Sequence, residues 1–349
     1  MDHPRRGSKR RRDAVLKRLS PLFDALYEEL GRPSIPPEQR LKARVLTALD
    51  SVRSERLCCE QLGYNLLWRW FLNREFSEGS FDPSLFAKNY ERGLSADVAK
   101  LFFTEVYDLA RQEGWTSDTH FTADGTLLEA WASLKSCVRK DGGDDQKVQP
   151  AKDEDPGNPS GDFRGEPRRN DTRQSTTDPE SVLYRKAQGN EARLCFGGHV
   201  SMENRHGLCA EFTIHNPLTE SEPAMALRQM DEHAELQEGV TPKSLGADKG
   251  SHRKDFVRGC RERESAPHAA GKEGVNGPGL DARTTRQSGY QISLRIRKRG
   301  EEIFGWIKTV GGLRRSRYRG RERTQAWGCF VAGTYNLLRM ARRELAAAN

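Results

Sequence analysis

The chain has 349 residues, of which 35 per cent are hydrophobic and 31 per cent charged, with a formal net charge of +8 and a pI of about 9.1. This length is enough for about two domains, and the basic balance favours a polyanionic partner such as nucleic acid. No apolar run approaches the length of a membrane span, and seven cysteines without CxxC spacing argue against a zinc site or a disulfide framework.

The positive charge is concentrated in two separate segments. Met1–Arg18 carries eight Lys/Arg and two Asp, a local +6, and Arg295–Arg323 carries 11 Lys/Arg and three Glu, a local +8. We predict that residues 1–14 form a disordered basic arm, because no uninterrupted apolar segment follows that would make a secretory signal. Two basic regions far apart in the chain suit a DNA strand that is gripped at several points.

Residues 15–117 are predicted to form an all-helical domain. Apolar residues recur at helical spacing from Leu16 to Leu26, and Pro36-Pro37-Glu38 is typical of a helix start. A compact helical unit with cationic faces suits DNA binding, although helical bundles serve many roles.

Residues 118–349 are predicted to form a second, α/β domain. A strand-like alternation begins at His120, and a polar segment at about 136–190 is predicted to be a flexible insertion. Two strands then flank a turn at 204–207, and helices and strands alternate as far as a glycine-rich loop at 271–279, which leads to two further helices. This order predicts a mixed sheet with flanking helices, which is compatible with an RNase H-like core but does not select it among α/β folds.

Three carboxylates are candidates for chemistry. Asp124 and Asp248 each end a strand-like run beside a glycine, and Glu301 lies on a predicted helix, Arg295–Lys308. At 100° per residue, Glu301 shares a narrow stripe with Arg297, Phe304 and Lys308, whereas Glu302 is rotated away from it. Two strand-borne aspartates and one helix-borne glutamate can coordinate a pair of Mg²⁺ ions that promotes phosphodiester displacement. The spacing alone also allows plain turns, or an ion pair between Asp248 and Lys249.

Several sequence blocks extend this interpretation over nearly the whole chain. They are GRPSIPPEQRLKARVLTALDSVRSERLCCEQLGYNLLWRWF, HFTADGTLLEAWASLKS, LGADKG and RKRGEEIFGWIKTVGGLRRSRYRG. Together they resemble the bacterial insertion-sequence transposases of the DDE class, in the fifth insertion-sequence family. The R-x3-E-x6-K pattern of that family matches Arg297, Glu301 and Lys308, so the resemblance makes Asp124, Asp248 and Glu301 the three acids.

The resemblance implies an RNase H-like catalytic domain that holds two Mg²⁺ ions, with Mn²⁺ able to substitute. It implies cleavage at transposon ends, followed by transfer of the freed strand into target DNA. The implied partners are double-stranded DNA, as terminal inverted repeats and target, and further copies of the chain, with no membrane, in the bacterial cytoplasm at the nucleoid. The residues expected to contact DNA are Arg297, Trp306, Lys308, Arg314, Arg315 and Arg317. Trp306 is expected either to stack on an unpaired base or to pack in the core.

The chain departs from the family pattern near two of the acids. Ser251 and His252 stand where an aromatic residue and an acid are usual, Leu294 replaces a tyrosine, and Gly300 replaces a branched apolar residue. These changes leave two alternatives open: a catalytically inactive, transposase-derived DNA-binding protein, and an RNase H-like nuclease that cuts without strand transfer. Strand-transfer assays with Mg²⁺ separate the three functions.

Overall fold

The computed structural model describes residues 3–27, 35–86, 96–117, 119–141, 162–163, 166–167, 169–185, 191–270 and 282–348. The glycine-rich loop at 271–279 lies outside them. Among the described helices, none combines the length and the apolarity needed to cross a bilayer.

The first part of the chain is helical, as predicted. Its helices are α1 (Pro4–Tyr27), α2 (Pro37–Leu49), α3 (Glu55–Tyr64), α4 (Leu66–Leu72) and α5 (Ala96–Gln112). Pro37 occupies the first turn of α2, and the Ser54 side chain caps α3 by accepting a hydrogen bond from the Leu57 amide. The terminal helix α11 (Arg321–Ala348) packs against α5 and α1, so the helical unit shares one hydrophobic core with the rest of the chain.

The prediction of a disordered arm at 1–14 is wrong for residues 4–14, which form the first half of α1. Arg11 and Arg12 are buried: Arg11 lies between Glu113 and Glu344, and Arg12 donates to the Phe71 carbonyl oxygen at 2.7 Å. Like-charged side chains can share one helix here because carboxylates from distant elements neutralise them. Much of this basic segment is therefore used within the fold and is not free to bind DNA.

The second part of the chain contains the predicted mixed sheet. Strands β1 (His120–Glu129), β7 (Arg193–Glu203), β8 (Cys209–His215), β9 (Ser244–Ala247) and β10 (Ala266–Ala269) lie in the spatial order β8-β7-β1-β9-β10. Strand β7 is antiparallel to β1 and β8, whereas β9 is parallel to β1 and to β10. This curled mixed sheet with flanking helices confirms the predicted RNase H-like architecture.

The prediction of a flexible insertion at about 136–190 is wrong for several of its described residues, whereas residues 142–161, 164–165, 168 and 186–190 lie outside the described part of the chain. Short strands β2 (Cys137–Arg139) and β5 (Arg173–Ser175) pair with each other, and β6 (Val182–Tyr184) joins the main sheet beside β7. Two further short strands, β3 (Asp162–Phe163) and β4 (Glu166–Pro167), also pair. Backbone pairing orders these residues although they contribute few large apolar side chains, which is why composition alone pointed to a flexible loop.

Helices cover the sheet and complete the order of elements. They are α6 (Glu222–Leu236), α7 (Lys254–Glu262), α8 (Ala282–Thr285), α9 (Ser288–Ile296), α10 (Arg299–Thr309) and α11. The predicted single helix from Arg295 to Lys308 is divided, because α9 ends at Ile296 and α10 begins at Arg299. The amides of Gly300 and Glu301 bond three residues back, so the chain tightens into a turn at this junction.

All seven cysteines are buried and free, as expected for reduced thiols. Burial raises the pKa of the Cys195 and Cys260 thiols to about 12, so both remain protonated at neutral pH.

Two histidines are held neutral in the interior. His199 on β7 contacts Gln229 (Nδ1 to Oε1, 2.9 Å), and burial lowers its pKa to about 4, as it does for His268 on β10. The unfolded chain binds protons below its pKa of 6.5 that the folded chain excludes, so stability is complete above that pH and is lost as the pH falls towards 4. For His199 alone, we expect the metal-free protein to lose about 2 kcal/mol between pH 7.5 and 5.

Urea unfolding of the wild type and of His199→Gln at both pH values tests this expectation. The unfolding free energy should fall more between pH 7.5 and 5 in the wild type than in the variant. A variant that loses stability as steeply as the wild type would contradict it.

Candidate active site

Strand register brings the two candidate aspartates together. His120, Phe121 and Thr122 on β1 pair with Ser244, Leu245 and Gly246 on β9, a constant offset of 124 residues. The same offset carried two residues further places Asp248 opposite Asp124. Parallel neighbours in register present their side chains to the same face, with the strands about 4.8 Å apart. We therefore expect the two carboxylates to lie side by side, just beyond the paired residues of β1 and β9.

Asp248 is fixed by the turn that it begins. Strand β9 ends at Ala247, and Asp248 caps the 3₁₀ turn Lys249–Ser251. Its Oδ1 atom accepts hydrogen bonds from both the amide and the hydroxyl of Ser251, each at 3.0 Å. A Cβ atom on Gly250 would stand 3.2 Å from both carboxylate oxygens, so glycine leaves room for this arrangement. Ser251, which departs from the family pattern, is thus a positioning residue for Asp248.

We expect Ser251→Ala to raise the Mg²⁺ concentration for half-maximal DNA cleavage about tenfold, because a hydrogen bond to a charged group contributes about 1.5 kcal/mol or more. Ser251→Thr keeps the hydroxyl group and should restore most of the affinity. Titration of the cleavage rate with Mg²⁺ makes the comparison; an unchanged midpoint in the alanine variant would show that the amide alone fixes Asp248.

The start of α10 lies against Asp124. A Cβ atom built on Gly300 would be 3.6 Å from Oδ2 and 3.7 Å from Cβ of Asp124, which is ordinary van der Waals contact. The Asp124 Oδ1 atom accepts from the Gly125 amide at 3.0 Å. The positive end of the α10 dipole lies on this side and favours negative charge there.

The neighbouring glutamates differ in their surroundings. Glu302 forms an ion pair with Arg339 of α11 at 3.4 Å. Glu301 is exposed, and its carboxylate has no hydrogen-bond or ion-pair partner in the described part of the chain. Each residue turns the helix by 100°, so the two side chains leave α10 in different directions. Glu301, whose carboxylate is not held by an ion pair, remains the predicted third acid.

The predicted stripe on this helix needs one correction. Phe304 is 7 % exposed and packs with Ile303 and Ile307 in the core, so only Arg297, Glu301 and Lys308 remain outside it. The core-facing side of α10 is therefore wider than the pattern of isoleucines indicated.

Carboxylate oxygens are the ligands that hard divalent cations take, so the donor set fits such an ion. Within the described residues, no three His, Cys, Asp or Glu side chains converge closely enough to form a metal site. Asp124 lies on β1 and Asp248 directly follows β9, whereas Glu301 is exposed and can change rotamer. We therefore expect a bound ion to recruit Glu301 by a change of its side-chain rotamer.

A substitution at Gly300 tests how closely α10 must pack against Asp124. Because a methyl group there meets Asp124 at ordinary contact distance, we expect Gly300→Ala to fold normally and to gain about 0.5–1 kcal/mol from better helix propensity. Chemical denaturation of the two proteins measures the gain, and a destabilised alanine variant would show that α10 tolerates no added atom beside the acid.

The predicted DNA-contacting residues fall into two groups. Lys308 donates to Thr126 Oγ1 at 2.6 Å, two residues after Asp124 on the same strand face, and Arg297 lies at the junction of α9 and α10. Arg314, Arg315 and Arg317 follow α10 in a loop, where the first two are exposed. Trp306 packs edge-on against Tyr335 (ring centroids 5.6 Å apart) and against the core, which matches the packing alternative.

Three residues were not assigned a role from the sequence. They are Ser251, which positions Asp248, and the exposed residues Trp131 and Arg53. Trp131 follows the end of β1 and is 45 % exposed, and Arg53 is exposed between α2 and α3. For Trp131, the available signal was a large aromatic residue beside a predicted strand. For Arg53 the sequence contains no such signal, because the position of this residue depends on how the helical unit packs against the rest of the chain.

Comparisons with known proteins match two parts of the chain to transposase families. Residues 2–92 match the family described as Transposase domain (DUF772), and residues 168–337 match the family described as Transposase DDE domain. The second match includes Asp248 and Glu301, whereas Asp124 falls between the two. A solved structure titled as a pre-cleavage Mos1 transpososome aligns with 91 % of this chain and 80 % of its own, at 10 % identity and a TM-score of 0.22, so the two chains superpose poorly. No curated protein matches the chain at a significant level.

Proposed function

This chain belongs to the DDE transposases, and we propose that Asp124, Asp248 and Glu301 are the three acids with which it cleaves DNA at transposon ends and joins them to target DNA. The observation that supports the assignment is the β1–β9 register, which pairs Thr122 with Gly246, each two residues before one of the aspartates, together with the position of Gly300, where an added Cβ atom would lie 3.6 Å from Asp124. The three residues come from two strands and one helix, and all three are carboxylates, as divalent-metal chemistry on phosphates requires.

The three acids would hold two Mg²⁺ ions, with Mn²⁺ as a substitute. When bound, such a pair activates the attacking oxygen and stabilises the leaving oxygen in an in-line displacement. The residues of the chain supply position and charge: Ser251 fixes the Asp248 carboxylate, and the dipole of α10 favours anions beside Asp124. Lys308 donates a hydrogen bond to Thr126, two residues along β1 from Asp124, and would meet a phosphate next to the one that reacts.

The substrate DNA would be read by the helical unit and gripped by basic residues near α10. Double-stranded terminal inverted repeats and target DNA are the proposed partners, with the chain acting as a homodimer or a larger assembly. Arg297, Lys308, Arg314, Arg315 and Arg317 remain proposed phosphate contacts, whereas the packing of Trp306 against Tyr335 favours a structural role for that residue.

The test uses DNA that carries the ends of the element, purified protein and Mg²⁺. We expect cleavage that frees a 3′-OH, followed by joining of that end to a second duplex, with both steps lost in EDTA. Binding without cleavage would favour the inactive DNA-binding protein, and cleavage without joining would favour a nuclease.

A further inference from the structure

A groove of about 810 Å³ lies between the helical unit and the catalytic unit. One wall is the connection between α2 and α3, and the other is the end of β1 with the loop that follows α10. We call it the arginine groove, after the four arginines that line it, Arg53, Arg314, Arg315 and Arg317. Trp131 and Lys308 also line it.

The walls of the arginine groove are tied together. The Ser51 hydroxyl donates to the Val310 carbonyl oxygen at 2.9 Å, and the Arg317 guanidinium donates to the Val52 carbonyl oxygen at 2.8 Å. On the other side, Glu129 exchanges backbone hydrogen bonds with Arg314 and Ser316 at 3.0 and 2.7 Å. The groove is thus a built feature of the fold that depends on both units.

Its charge is strongly positive. Five cations line the arginine groove against two carboxylates, Glu55 and Glu129. Both carboxylates are paired with arginines that do not line it, Glu55 with Arg44 and Glu129 with Arg193. The exposed guanidinium groups of Arg53 and Arg314 have no hydrogen-bond or ion-pair partner among the described residues. A polyanion is therefore the ligand that the lining fits.

An aromatic surface completes the groove. The Trp131 side chain is 45 % exposed, and the guanidinium carbon of Arg315 lies 5.4 Å from its ring centroid. Such a cation–π pair offers a flat face on which a nucleic-acid base stacks, with little dependence on sequence.

We infer that the arginine groove holds the backbone of the transposon-end DNA, with Arg53 and Arg314 on phosphates and Trp131 against an unpaired base. Glu129 lies five residues along β1 from Asp124, about 17 Å at strand spacing, which spans about five nucleotides of a duplex. End DNA is the occupant because one duplex must pass from the helical unit, where Arg53 lies, to the catalytic acids. This inference rests on the proposed function.

The first test measures how binding of a fluorescent end-containing duplex depends on salt, in EDTA so that nothing is cut. Each phosphate contact contributes about 0.9 to the slope of log Kd against log salt, so Arg53→Gln with Arg314→Gln should lower the slope by about two. Lysine at both positions should keep the slope. The control pair Arg228→Gln with Arg258→Gln removes equal charge from other exposed sites and should leave it unchanged. Equal slopes in the glutamine variant and the wild type would overturn the inference.

The second test locates the contact on the DNA. Single methylphosphonate substitutions should weaken binding of the wild type at phosphates about five nucleotides from the cleavage site, and the glutamine double variant should lose that sensitivity. Trp131→Ala should weaken binding of an end with an unpaired base there about tenfold, and Trp131→Phe should retain most of it. Interference that persists in the double variant would contradict the assignment.

The outcomes separate this inference from the proposed function. If the wild type neither cuts nor joins DNA with Mg²⁺, the function fails, while the binding slopes still decide the groove. If the glutamine variant binds and cuts ends normally but fails to join a pre-cut end to target, the groove holds target DNA and the inference is wrong.

Discussion

Glu301→Gln should reduce Mg²⁺-dependent cleavage on the order of 10³-fold, the loss that removal of one group stabilising transition-state charge produces. Glu302→Gln, one residue further along α10, should leave the rate within a few-fold of the wild type. We expect the contrast because Glu302 pairs with Arg339, whereas Glu301 follows Gly300, where an added Cβ atom would lie 3.6 Å from the Asp124 carboxylate.

The pair of variants is informative because the substitutions are chemically identical and equally close to the start of α10. Asp124→Asn and Asp248→Asn should match the loss in Glu301→Gln, with end binding in EDTA retained in all three. Full activity of Glu301→Gln together with loss of activity in Glu302→Gln would transfer the third acid to Glu302. Unchanged cleavage in Asp124→Asn would refute the whole site.

Lys100→Met should destabilise the protein by about 3–5 kcal/mol at neutral pH, because it leaves a buried carboxylate without its cation. Lys100 on α5 lies 2.6 Å from Glu211 on β8, which is 2 % exposed. Burial already raises the pKa of Glu211, so the loss should shrink as the pH falls and the carboxyl group becomes neutral. Chemical denaturation at two pH values measures both effects.

Two controls define the source of that loss. Lys100→Met combined with Glu211→Met removes both charges and should recover most of the stability. Arg56→Gln breaks an exposed pair with Glu60 and should cost less than about 0.5 kcal/mol. A double variant as unstable as Lys100→Met would indicate that packing, rather than the unpaired charge, causes the loss.

Local patterns in the sequence were enough to predict the two strands that lead to Asp124 and Asp248. The alternation after His120 and the short run before Asp248 became β1 and β9, and the 100° rotation between Glu301 and Glu302 holds in α10. These features depend on periodicities of a few residues, which the sequence carries directly.

Features that depend on distant partners were not predictable in this way. Arg11 and Arg12 form a helix because Glu113, Glu344 and the Phe71 carbonyl group meet them, more than 50 residues away. The ordered strands within 136–190 likewise depend on pairing with β7 and with each other. The division of the predicted helix into α9 and α10 at Arg297 and Lys298 was not predicted. Both residues keep right-handed helical backbone angles, so the helical spacing of the side chains gives no sign of the division.

The contact between α1 and α11 has a consequence for how the protein is made. The Arg10 and Arg11 side chains meet Glu344, and Phe102 of α5 stacks on Phe330 of α11, with ring centroids 5.3 Å apart. A ribosome synthesises α1 and α5 more than 200 residues before α11 emerges. The helical unit therefore lacks its contacts with α11 through most of translation. Products of interrupted synthesis therefore lack the α11 contacts that complete the core of the helical unit.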